Sequence, residues 1–455
     1  MPKLRLVHRC TECGAAHPKW SGQCATCGAW NSLVEDVEGA DEPAALVAAG
    51  PAATVLSMVD VDTSTGAPQP TGVAELDRVL GGGLVAGSVT LLGGEPGIGK
   101  STLLLQLAAW WPGTVLYVSA EESPAQVRAR AERLGAVRPD LFVLPETQLP
   151  HLVAALDQVR PSLVVVDSIQ TVAVPELGSA PGSVVQVRGC AQRLVTEAKQ
   201  RGVPVLLVGH VTKEGGLAGP RTLEHVVDTV LTFEGDRHHA LRLLRASKHR
   251  FGPTNELGVF EMTGGGLRGV PDASSLFLTD RRSGAAGSAV LPTLEGQRPL
   301  MVEVQALTNK VTPGSPPRRS AHGLDPGRLA LLLAVLERRA RLPMYQHEVF
   351  VSAVGGVRIT DPGADLALCA AIVSSLTDHP LAPDLVVLGE VGLAGEVRQV
   401  VHAERRLAEA ARLGFTRAVV PANSPNGVEG ITLHRVSTVA EALAVCGMRG
   451  SRGTS

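Results

Sequence analysis

A glycine-rich segment that starts at Gly94 has the residue types and the spacing of a phosphate-binding loop. It reads G-x-x-x-x-G-K-S and stands between an apolar run, 89–92, and a helix-like stretch, 103–109, which is the strand-loop-helix context of such loops. Its glycines let backbone N–H groups turn towards phosphate, and the start of the helix adds partial positive charge. Lys100 is predicted to reach the β and γ phosphates, and the Ser101 hydroxyl to bind Mg2+. The predicted nucleotide-binding residues of this loop are Gly94, Glu95, Pro96, Gly97, Ile98, Gly99, Lys100, Ser101 and Thr102.

Carboxylates follow two further apolar runs and are predicted to work at the same site. Asp167 ends the run 163–166, the pattern of a buried parallel strand that delivers an acid at its carboxyl end. Asp167 is predicted to act in the outer coordination sphere of the magnesium ion. The alternative is that Asp167 only caps the next turn. ATP hydrolysis also needs a group that orients the attacking water. Glu121, which follows the strand-like run 115–120, is predicted to do this, with Glu122 as the alternative.

Strands and helices alternate through the middle of the chain. Strand-like runs recur at 204–209 and 226–233, and helix-like stretches at 123–134, 151–159 and 184–201. This alternation specifies a mainly parallel sheet with helices on both faces and a ligand at the carboxyl ends of the strands. His210 closes one of the runs. It is predicted either to sense the γ phosphate or to be an ordinary hydrogen-bonded histidine at a strand end.

Four of the seven cysteines lie within the first 27 residues, as C-x2-C-x10-C-x2-C: Cys10, Cys13, Cys24 and Cys27. Two such knuckles can bring four thiolates around zinc and leave no open position, so a structural zinc site is predicted. The alternative is four ordinary cysteines in a coil. A segment this short has little core of its own, so metal binding and folding should be coupled. Trp20 and Trp30 are predicted to pack over the sulfurs, the alternative being exposed rings that stack on bases or dock a partner.

Composition limits the partners of the chain. Its 455 residues suggest about three domains, and its net charge of -2 excludes a uniformly basic nucleic-acid coat, so any nucleic-acid contact needs a local patch. No window has the roughly 18 apolar residues of a membrane helix, and the amino terminus lacks the apolar core of a secretory signal. We therefore expect no membrane partner and a cytoplasmic location. Residues 36–60 turn acidic and then rich in Ala, Pro and Gly, which predicts a linker.

Several motifs resemble known proteins. The segments 71–77 (TGVAELD) and 80–84 (LGGGL), with the loop at 94–101, resemble the ATPase core of the RecA superfamily. The four-cysteine module, this core and the segment 248–252 (KHRFG), in this order, resemble the RadA (Sms) family of bacterial DNA repair proteins over nearly the whole chain. The family signature reads KNRFG, so His249 replaces an asparagine while the two cations and the phenylalanine are kept.

Two cations of that signature follow an extended stretch, 240–246. Lys248 and Arg250 lie two residues apart, so they project from one face of a strand. No acidic residue is closer in sequence than Glu256, so the pair is expected to seek an anion. The resemblance implies that these cations reach across a subunit boundary to the neighbour's ATP, as an arginine finger does, so that activity requires a ring or filament. The alternative is a solvated basic turn.

A second glycine-rich stretch, 212–221, follows the strand that His210 closes. The resemblance implies that this loop faces a central channel and touches single-stranded DNA. Lys213 and Arg221 are the predicted phosphate contacts, and such binding is salt-sensitive and without sequence preference. The alternative is a glycine-rich connection without a ligand.

Three carboxyl-terminal segments resemble the Lon protease domain: 349–357, 365–375 and 389–397. Lon chemistry needs a serine that a lysine activates. Asp365 falls at the serine position and Glu404 near the lysine position, and the last lysine of the chain is Lys310. These residues exclude peptidase activity. The domain is then expected to serve as an oligomerisation scaffold, as a DNA-binding surface, or as both. The candidate DNA contacts are Arg318, Arg319, Arg405 and Arg406, and the alternative for each is an ordinary solvated arginine.

The residues and the resemblance together predict an α/β protein with three parts. A RecA-like P-loop ATPase core is expected at 61–275, a four-cysteine zinc module at 1–35 and a Lon-protease-like α+β domain at 280–455. The resemblance implies an ATP-dependent DNA motor, a helicase or branch migration factor for single-stranded and branched DNA, with ATP, Mg2+ and Zn2+ as cofactors. It also implies a homo-oligomer, a hexameric ring, with the RecA recombinase and replication or repair proteins as candidate partners. The alternative is an ATP-gated DNA-binding or recombinase-loading platform that does not separate strands.

Overall fold

The computed structural model describes residues 5–10, 14–38, 57–60, 66–210, 220–235, 241–279, 281–282, 284–311, 316–425 and 427–448. The chain divides into two units. The first consists of Met1–Glu234, Leu244–Thr254 and Met262–Arg268. The second consists of Gly235–Leu243, Asn255–Glu261 and Gly269–Ser455.

Strands alternate with helices from residue 89 to residue 234, as the apolar runs predict. The strands up to residue 269 are β1 (Arg5–Cys10), β2 (Ala16–His17), β3 (Leu33–Glu38), β4 (Pro68–Gln69), β5 (Leu84–Val85), β6 (Val89–Gly94), β7 (Val115–Ser119), β8 (Leu141–Leu144), β9 (Leu163–Asp167), β10 (Val205–His210), β11 (Thr229–Glu234), β12 (Leu241–His249), β13 (Leu257–Thr263) and β14 (Gly266–Gly269). The helices are α1 (Ala74–Val79), α2 (Lys100–Trp110), α3 (Pro124–Arg133), α4 (Leu149–Val159), α5 (Val184–Arg201) and α6 (Pro220–Leu223).

A nine-stranded sheet has the order β14-β13-β12-β11-β6-β10-β9-β7-β8. The six neighbours from β11 to β8 are all parallel, which confirms the predicted parallel sheet. Every residue of β6 and β7 is buried, as expected for strands that helices cover on both faces. Apolar side chains of β6, β9 and β10 form one core with residues of α4 and α5.

The carboxyl ends of the parallel strands meet at one edge of this sheet. Gly94, at the end of β6, pairs with His210 at the end of β10. Ser119, at the end of β7, pairs with Asp167 at the end of β9. The glycine-rich loop and the predicted acids therefore leave the sheet side by side, at the edge where parallel α/β sheets bind ligands.

Local signals fix where the helices beside this edge begin and end. Ser123 and Gln126 form a capping box at the start of α3, with Pro124 as its first residue. The Ser183 side chain caps α5, and Gly202, with φ of 65°, ends that helix in the left-handed conformation. The cap of α3 thus directs the chain away from the sheet immediately after the two predicted glutamates.

The amino-terminal module is a three-stranded antiparallel sheet of order β2-β1-β3. Its two C-x2-C turns end alike: the Gly14 N–H donates to the Cys10 carbonyl at 2.9 Å, and the Gly28 N–H to the Cys24 carbonyl at 2.8 Å. The φ angles of the two glycines are 74° and 75°, a region that other residues seldom adopt. β3 runs to Glu38 and so includes the first residues of the predicted linker.

The second unit is an α+β structure. Its later strands are β15 (Ser288–Glu295), β16 (Arg298–Lys310), β17 (Arg319–His322), β18 (His347–Ala353), β19 (Leu385–Val387), β20 (Glu390–Val391), β21 (Val397–Arg398), β22 (Arg417–Pro421) and β23 (Thr432–Val436). Its helices are α7 (Ala273–Leu278), α8 (Pro326–Arg339), α9 (Asp365–Thr377), α10 (Ala403–Arg412) and α11 (Val439–Val445). Seven of the strands form a sheet of order β17-β18-β16-β15-β19-β22-β23. Within the described parts of the chain, no helix has the length and apolar character to cross a bilayer.

Candidate nucleotide-binding and metal sites

The predicted phosphate-binding loop connects β6 to α2. Gly97 and Gly99 have φ angles of 79° and 116°, which favour glycine. A Cβ atom on Gly97 would meet no atom within 4 Å, so the loop is open on that side. A Cβ atom on Gly94 would lie 2.6 Å from the Phe233 carbonyl oxygen, so the start of the loop needs a glycine beside β11. The loop therefore has the open, glycine-dependent backbone that lets N–H groups approach a phosphate.

Lys100 is the first residue of α2 and is buried. Its Nζ donates to the carbonyl oxygens of Gly94 and Glu95, at 2.9 and 3.0 Å, so the ammonium group lies against the loop. Burial lowers the pKa of Lys100, and the negative charges of Asp167 and Glu121 oppose that shift. The ammonium group and the two predicted carboxylates therefore share one electrostatic site.

Three other predicted nucleotide-binding residues lie beside this loop. Ser101 and Thr102 are in the first turn of α2 and are half-buried. His210 ends β10 opposite Gly94, but its side chain lies outside the described residues. Its role as a γ-phosphate sensor therefore stays a prediction.

Glu121 and Glu122 have different partners. The Ser168 hydroxyl donates a hydrogen bond to Glu121. The guanidinium group of Arg130, on α3, forms an ion pair with Glu122. Ser168 is next in sequence to Asp167, so its bond holds Glu121 beside the predicted magnesium residue, whereas the ion pair with Arg130 holds Glu122 towards α3. This arrangement supports Glu121 rather than Glu122 as the group that orients water.

Tyr117 is a residue of this site for which the sequence contains no signal. Its hydroxyl donates to Asp167 Oδ2 at 2.7 Å, and only 1% of the residue is exposed. Burial and the negative charge of Asp167 raise the pKa of Tyr117, so its hydroxyl stays protonated at neutral pH. In the sequence it is one member of the run 115–120, and only the strand register shows its contact with the carboxylate.

The two predicted finger cations lie at the end of β12 and contact their own chain. The Lys248 Nζ donates to the Val227 carbonyl oxygen at 2.7 Å, and Arg250 pairs with Asp228 at 2.9 Å. Burial and the nearby charge of Arg250 lower the pKa of Lys248. No acidic residue lies near this pair in sequence, but the approach to β11 brings Asp228 against Arg250. The Arg250 side chain is still 49% exposed.

His249, which stands where the family has asparagine, bonds through both ring nitrogens. Its Nδ1 lies 2.9 Å from Thr229 Oγ1, and its Nε2 lies 3.1 Å from the Leu80 carbonyl oxygen. Burial lowers the pKa of His249, which favours a neutral ring with one donor and one acceptor. That ring can accept from the threonine hydroxyl and donate to the carbonyl. The histidine therefore ties the segment 248–252 to the segment 80–84.

The predicted DNA-binding residues are only partly placed. Lys213 lies outside the described residues, and so does the side chain of Arg221, whose backbone is in α6. Their contacts with DNA stay predictions. The residues after α6 supply the groups that hold Lys248 and Arg250, so the glycine-rich stretch and the cation pair are linked through one short segment.

Three of the four predicted zinc ligands form a cluster. The ligand atoms of Cys10, Cys24 and Cys27 lie within 4.8 Å of one another, and the sulfurs of Cys10 and Cys27 are 3.6 Å apart. Cys13 lies outside the described residues. Thiolates at this spacing fit zinc, which takes cysteine sulfurs in closed tetrahedral sites.

The surroundings of Cys24 favour a metal-binding thiolate. Burial opposes ionisation, but backbone N–H groups of Cys27 and Thr26 and the side chain of His17 outweigh it and lower the pKa of the Cys24 thiol to about 5. His17 Nε2 lies 3.3 Å from the Cys24 sulfur. His17, on β2, has no signal in the four-cysteine pattern, because antiparallel pairing with β1 places it there.

Two tryptophans of this module are exposed. Trp20 is 59% exposed and Trp30 is 71% exposed. The prediction that they pack over the sulfurs is therefore wrong. A Cβ atom on Gly22 would lie 3.8 Å from the Trp30 ring, so that ring rests against the turn and faces solvent elsewhere.

The serine position of the Lon-like segments holds a buried ion pair. Asp365 begins α9, is 3% exposed and pairs with Arg328 of α8. The Val391 N–H also donates to Asp365, at 3.0 Å. Burial raises the pKa of Asp365, and the bonds from Arg328 and Val391 oppose that shift. A carboxylate held in this way has no nucleophilic role.

One predicted DNA contact of the second unit is wrong. Arg406 is 1% exposed, forms an ion pair with Asp361 and donates to the Pro292 carbonyl at 3.0 Å. A buried, paired guanidinium group cannot meet DNA, and its sequence neighbour Arg405 is the exposed member of that pair. Adjacent residues of a helix lie on different faces, so α10 exposes Arg405 and buries Arg406.

Comparisons with known proteins match three parts of the chain. Residues 8–35 match a rubredoxin metal binding domain, residues 60–216 an AAA domain, and residues 343–445 the Lon protease (S16) C-terminal proteolytic domain. The chain is 51% identical to the DNA repair protein RadA of Pseudomonas aeruginosa over 454 residues, which cover 97% of this chain and 100% of that protein. The chain belongs to the RadA family of DNA repair proteins. It is also 48% identical to RadA of Bacillus subtilis and 46% identical to RadA of Halalkalibacterium halodurans, over 97% and 98% of this chain and 99% of each relative.

Membership of the RadA family confirms the predicted fold class and cofactors. The chain is a DNA repair ATPase that uses ATP and Mg2+, and its amino-terminal module is a zinc site. The loop and Lys100 fit the phosphates of ATP, and the clustered thiols fit zinc.

We expect that Cys27→Ser, or treatment with a strong chelator, removes zinc and unfolds the RadA-family zinc module, because folding of so small a core is coupled to the metal. The parallel sheet should stay folded, since its core is separate. Metal analysis by mass spectrometry, with hydrogen exchange of peptides from 5–38 and 163–210, measures both effects. Cys190→Ser, a change at a buried cysteine of α5, is the control and should keep about one zinc per chain. A wild-type protein purified without zinc would show that the prediction is wrong.

Proposed function

We propose that this RadA-family ATPase is a DNA motor, a helicase and branch migration factor that acts on single-stranded and branched DNA in homologous recombination. The observation that carries the proposal is the charge arrangement at the loop, where the negative charges of Asp167 and Glu121 act on the Lys100 ammonium. A site that only binds ATP needs the loop and the lysine, whereas a site that hydrolyses ATP in every cycle also needs an aligned base. The hydrogen bond from Ser168 to Glu121 supplies that alignment.

Each residue has a distinct task in this proposal. Backbone N–H groups of 94–99 and the Lys100 ammonium hold the β and γ phosphates. Ser101 and Asp167 hold Mg2+, which neutralises phosphate charge when it is bound. Glu121 orients the attacking water and polarises it.

The cation pair is proposed to complete the site of a neighbouring subunit in a homo-oligomer, a hexameric ring. The contacts of Arg250 support this, because it uses one N–H on Asp228 and a guanidinium group has five. About half of the Arg250 side chain is exposed, at 49%, so it can meet an anion on another protomer. Burial and then the charge of Arg250 lower the pKa of Lys248, so the two cations are close enough to act on one phosphate.

DNA is proposed to contact the glycine-rich stretch through Lys213 and Arg221, by a salt-sensitive interaction with the phosphate backbone. A DNA motor of this kind would work in the bacterial cytoplasm, where the chromosome lies. Its proposed protein partners are the RecA recombinase and replication or repair proteins.

The Lon-like domain is proposed to be a non-proteolytic scaffold for the ring, which also offers a DNA-binding surface. A serine-lysine dyad cannot form, because Asp365 is locked to Arg328 and no lysine follows Lys310. Its solvent-facing arginines, such as Arg318, which is 82% exposed, are the remaining candidates for DNA.

A second function has one observation in its favour. Arg250 already pairs with Asp228 of its own chain, so its positive charge does not need an anion from a neighbouring subunit. An ATP-gated platform that binds DNA or loads a recombinase, without strand separation, fits this pairing.

A forked DNA substrate distinguishes the two functions. We expect the wild-type protein to displace the labelled strand with ATP and Mg2+, and Lys100→Ala to lose displacement because the phosphates are no longer held. Strand displacement, ATP hydrolysis and DNA binding are measured on the same samples. ATP hydrolysis and DNA binding without displacement would leave only the platform.

A further inference from the structure

Tyr117 and Asp167 lie on neighbouring parallel strands, two register positions apart. Tyr117 on β7 pairs with Val165 on β9, and Ser119 pairs with Asp167. Alternate residues of a strand share a face, so Tyr117 and Ser119 point to the same side of the sheet. The long phenol side chain reaches diagonally along that face to the next pair, and its hydroxyl lies 2.7 Å from Asp167 Oδ2.

This hydrogen bond restricts a side chain that would otherwise rotate. The terminal torsion of an aspartate is broad, so a carboxylate at the end of a strand has many orientations. A donor fixed in the core removes that freedom, because Tyr117 is 1% exposed and its ring is held by the sheet. The bond is made to Oδ2 and not to Oδ1.

We propose that Tyr117 is a positioning residue for magnesium, which fixes the Asp167 carboxylate so that the metal–nucleotide complex is held tightly. This inference rests on the proposed role of Asp167 in holding Mg2+. Tyr117 acts on the metal only through Asp167. Groups that hydrogen-bond to metal-binding side chains commonly change metal affinity by about 10- to 100-fold when they are removed.

Tyr117→Phe tests the inference because it removes the hydroxyl and keeps the ring. We expect the Mg2+ concentration that half-saturates binding of a fluorescent ATP analogue to rise about tenfold. Binding of the analogue without Mg2+ should not change, because the loop and Lys100 are intact. Bound Mn2+, measured by electron paramagnetic resonance in the presence of the nucleotide, provides a second measurement that is independent of hydrolysis.

Ser88→Ala is the matched control. It removes a buried hydroxyl whose hydrogen bond to the Val85 carbonyl, at 2.6 Å, lies at the opposite end of β6. It should lower the unfolding temperature by an amount similar to Tyr117→Phe and leave the Mg2+ requirement unchanged. If Tyr117→Phe also changes only the unfolding temperature, Tyr117 merely supports the core and the inference is wrong.

Asp167→Asn separates this inference from the proposed function. If Asp167→Asn binds the nucleotide with the wild-type Mg2+ requirement, the magnesium site itself is misassigned and the role of Tyr117 falls with it. If Asp167→Asn raises the half-saturating Mg2+ concentration while Tyr117→Phe matches the wild type, the magnesium site stands and only the positioning role is overturned.

Discussion

Glu121→Gln is expected to lower the turnover of ATP by about 100- to 10,000-fold and to leave nucleotide binding close to that of the wild type. The amide keeps the shape of the side chain and its hydrogen bond from Ser168, but it cannot polarise the attacking water as a carboxylate does. The lysine and the loop, which bind the phosphates, are unchanged. Single-turnover hydrolysis with single-stranded DNA, together with binding of a fluorescent ATP analogue, measures the two effects separately.

Glu122→Gln is the matched control, because it makes the same chemical change at the adjacent residue. It breaks the ion pair with Arg130, whose two side chains are both partly exposed, and a solvent-accessible ion pair contributes only about 0.2–1 kcal/mol to stability. Turnover should therefore stay near the wild-type value. A larger loss in Glu122→Gln than in Glu121→Gln would exchange the two roles and contradict the site as proposed.

The parts of this molecule that follow from local pattern are predictable from the sequence. The loop at 94–101 depends on glycines and on the strand and helix beside it, all of which are contiguous in the chain. The helix predicted at 184–201 appears as α5 with the same bounds, because a serine cap and a following glycine mark its ends. Apolar runs that end in a carboxylate place Glu121 and Asp167 at one edge for the same reason.

The parts that depend on long-range contacts are not predictable in this way. Asp228 lies 22 residues before Arg250, and Asp361 lies 45 residues before Arg406, yet each carboxylate pairs with its arginine. No pattern in the sequence indicates these partners, because strand register and helix rotation determine them. The same holds for Tyr117, whose hydroxyl is 50 residues from the carboxylate that it contacts.

Arg250→Ala is expected to lower ATP hydrolysis by about 1,000-fold or more in the assembled protein, because an arginine finger contributes a factor of that order to turnover. Binding of ATP should change far less, since the loop and Lys100 belong to a different subunit. Steady-state hydrolysis at saturating ATP, with sedimentation to show that the oligomer is intact, measures the effect. Arg245→Ala is the control, because Arg245 is the preceding arginine of the chain and lies 3.6 Å from Glu234 in a more exposed ion pair.

The contact with Asp228 allows a competing explanation. If Arg250 matters only because it neutralises that buried carboxylate, Asp228→Asn should relieve the need for it, and the double variant Asp228→Asn, Arg250→Ala should recover turnover. If Arg250 acts on a neighbour's phosphate, the double variant stays inactive. The unfolding temperature of each variant shows whether the carboxylate has been left unpaired.

Mixing two inactive variants gives the strongest test of a shared site. An Arg250→Ala subunit keeps its phosphate loop, and a Lys100→Ala subunit keeps its finger cations. In a ring with head-to-tail contacts and random mixing in equal amounts, roughly a quarter of the interfaces join an intact loop to an intact finger. Hydrolysis should then recover to about that fraction of the wild-type rate. A residue that acts within its own chain predicts no recovery at any mixing ratio, because every subunit then lacks one essential part, so a flat response in rings shown to contain both variants would contradict the shared site.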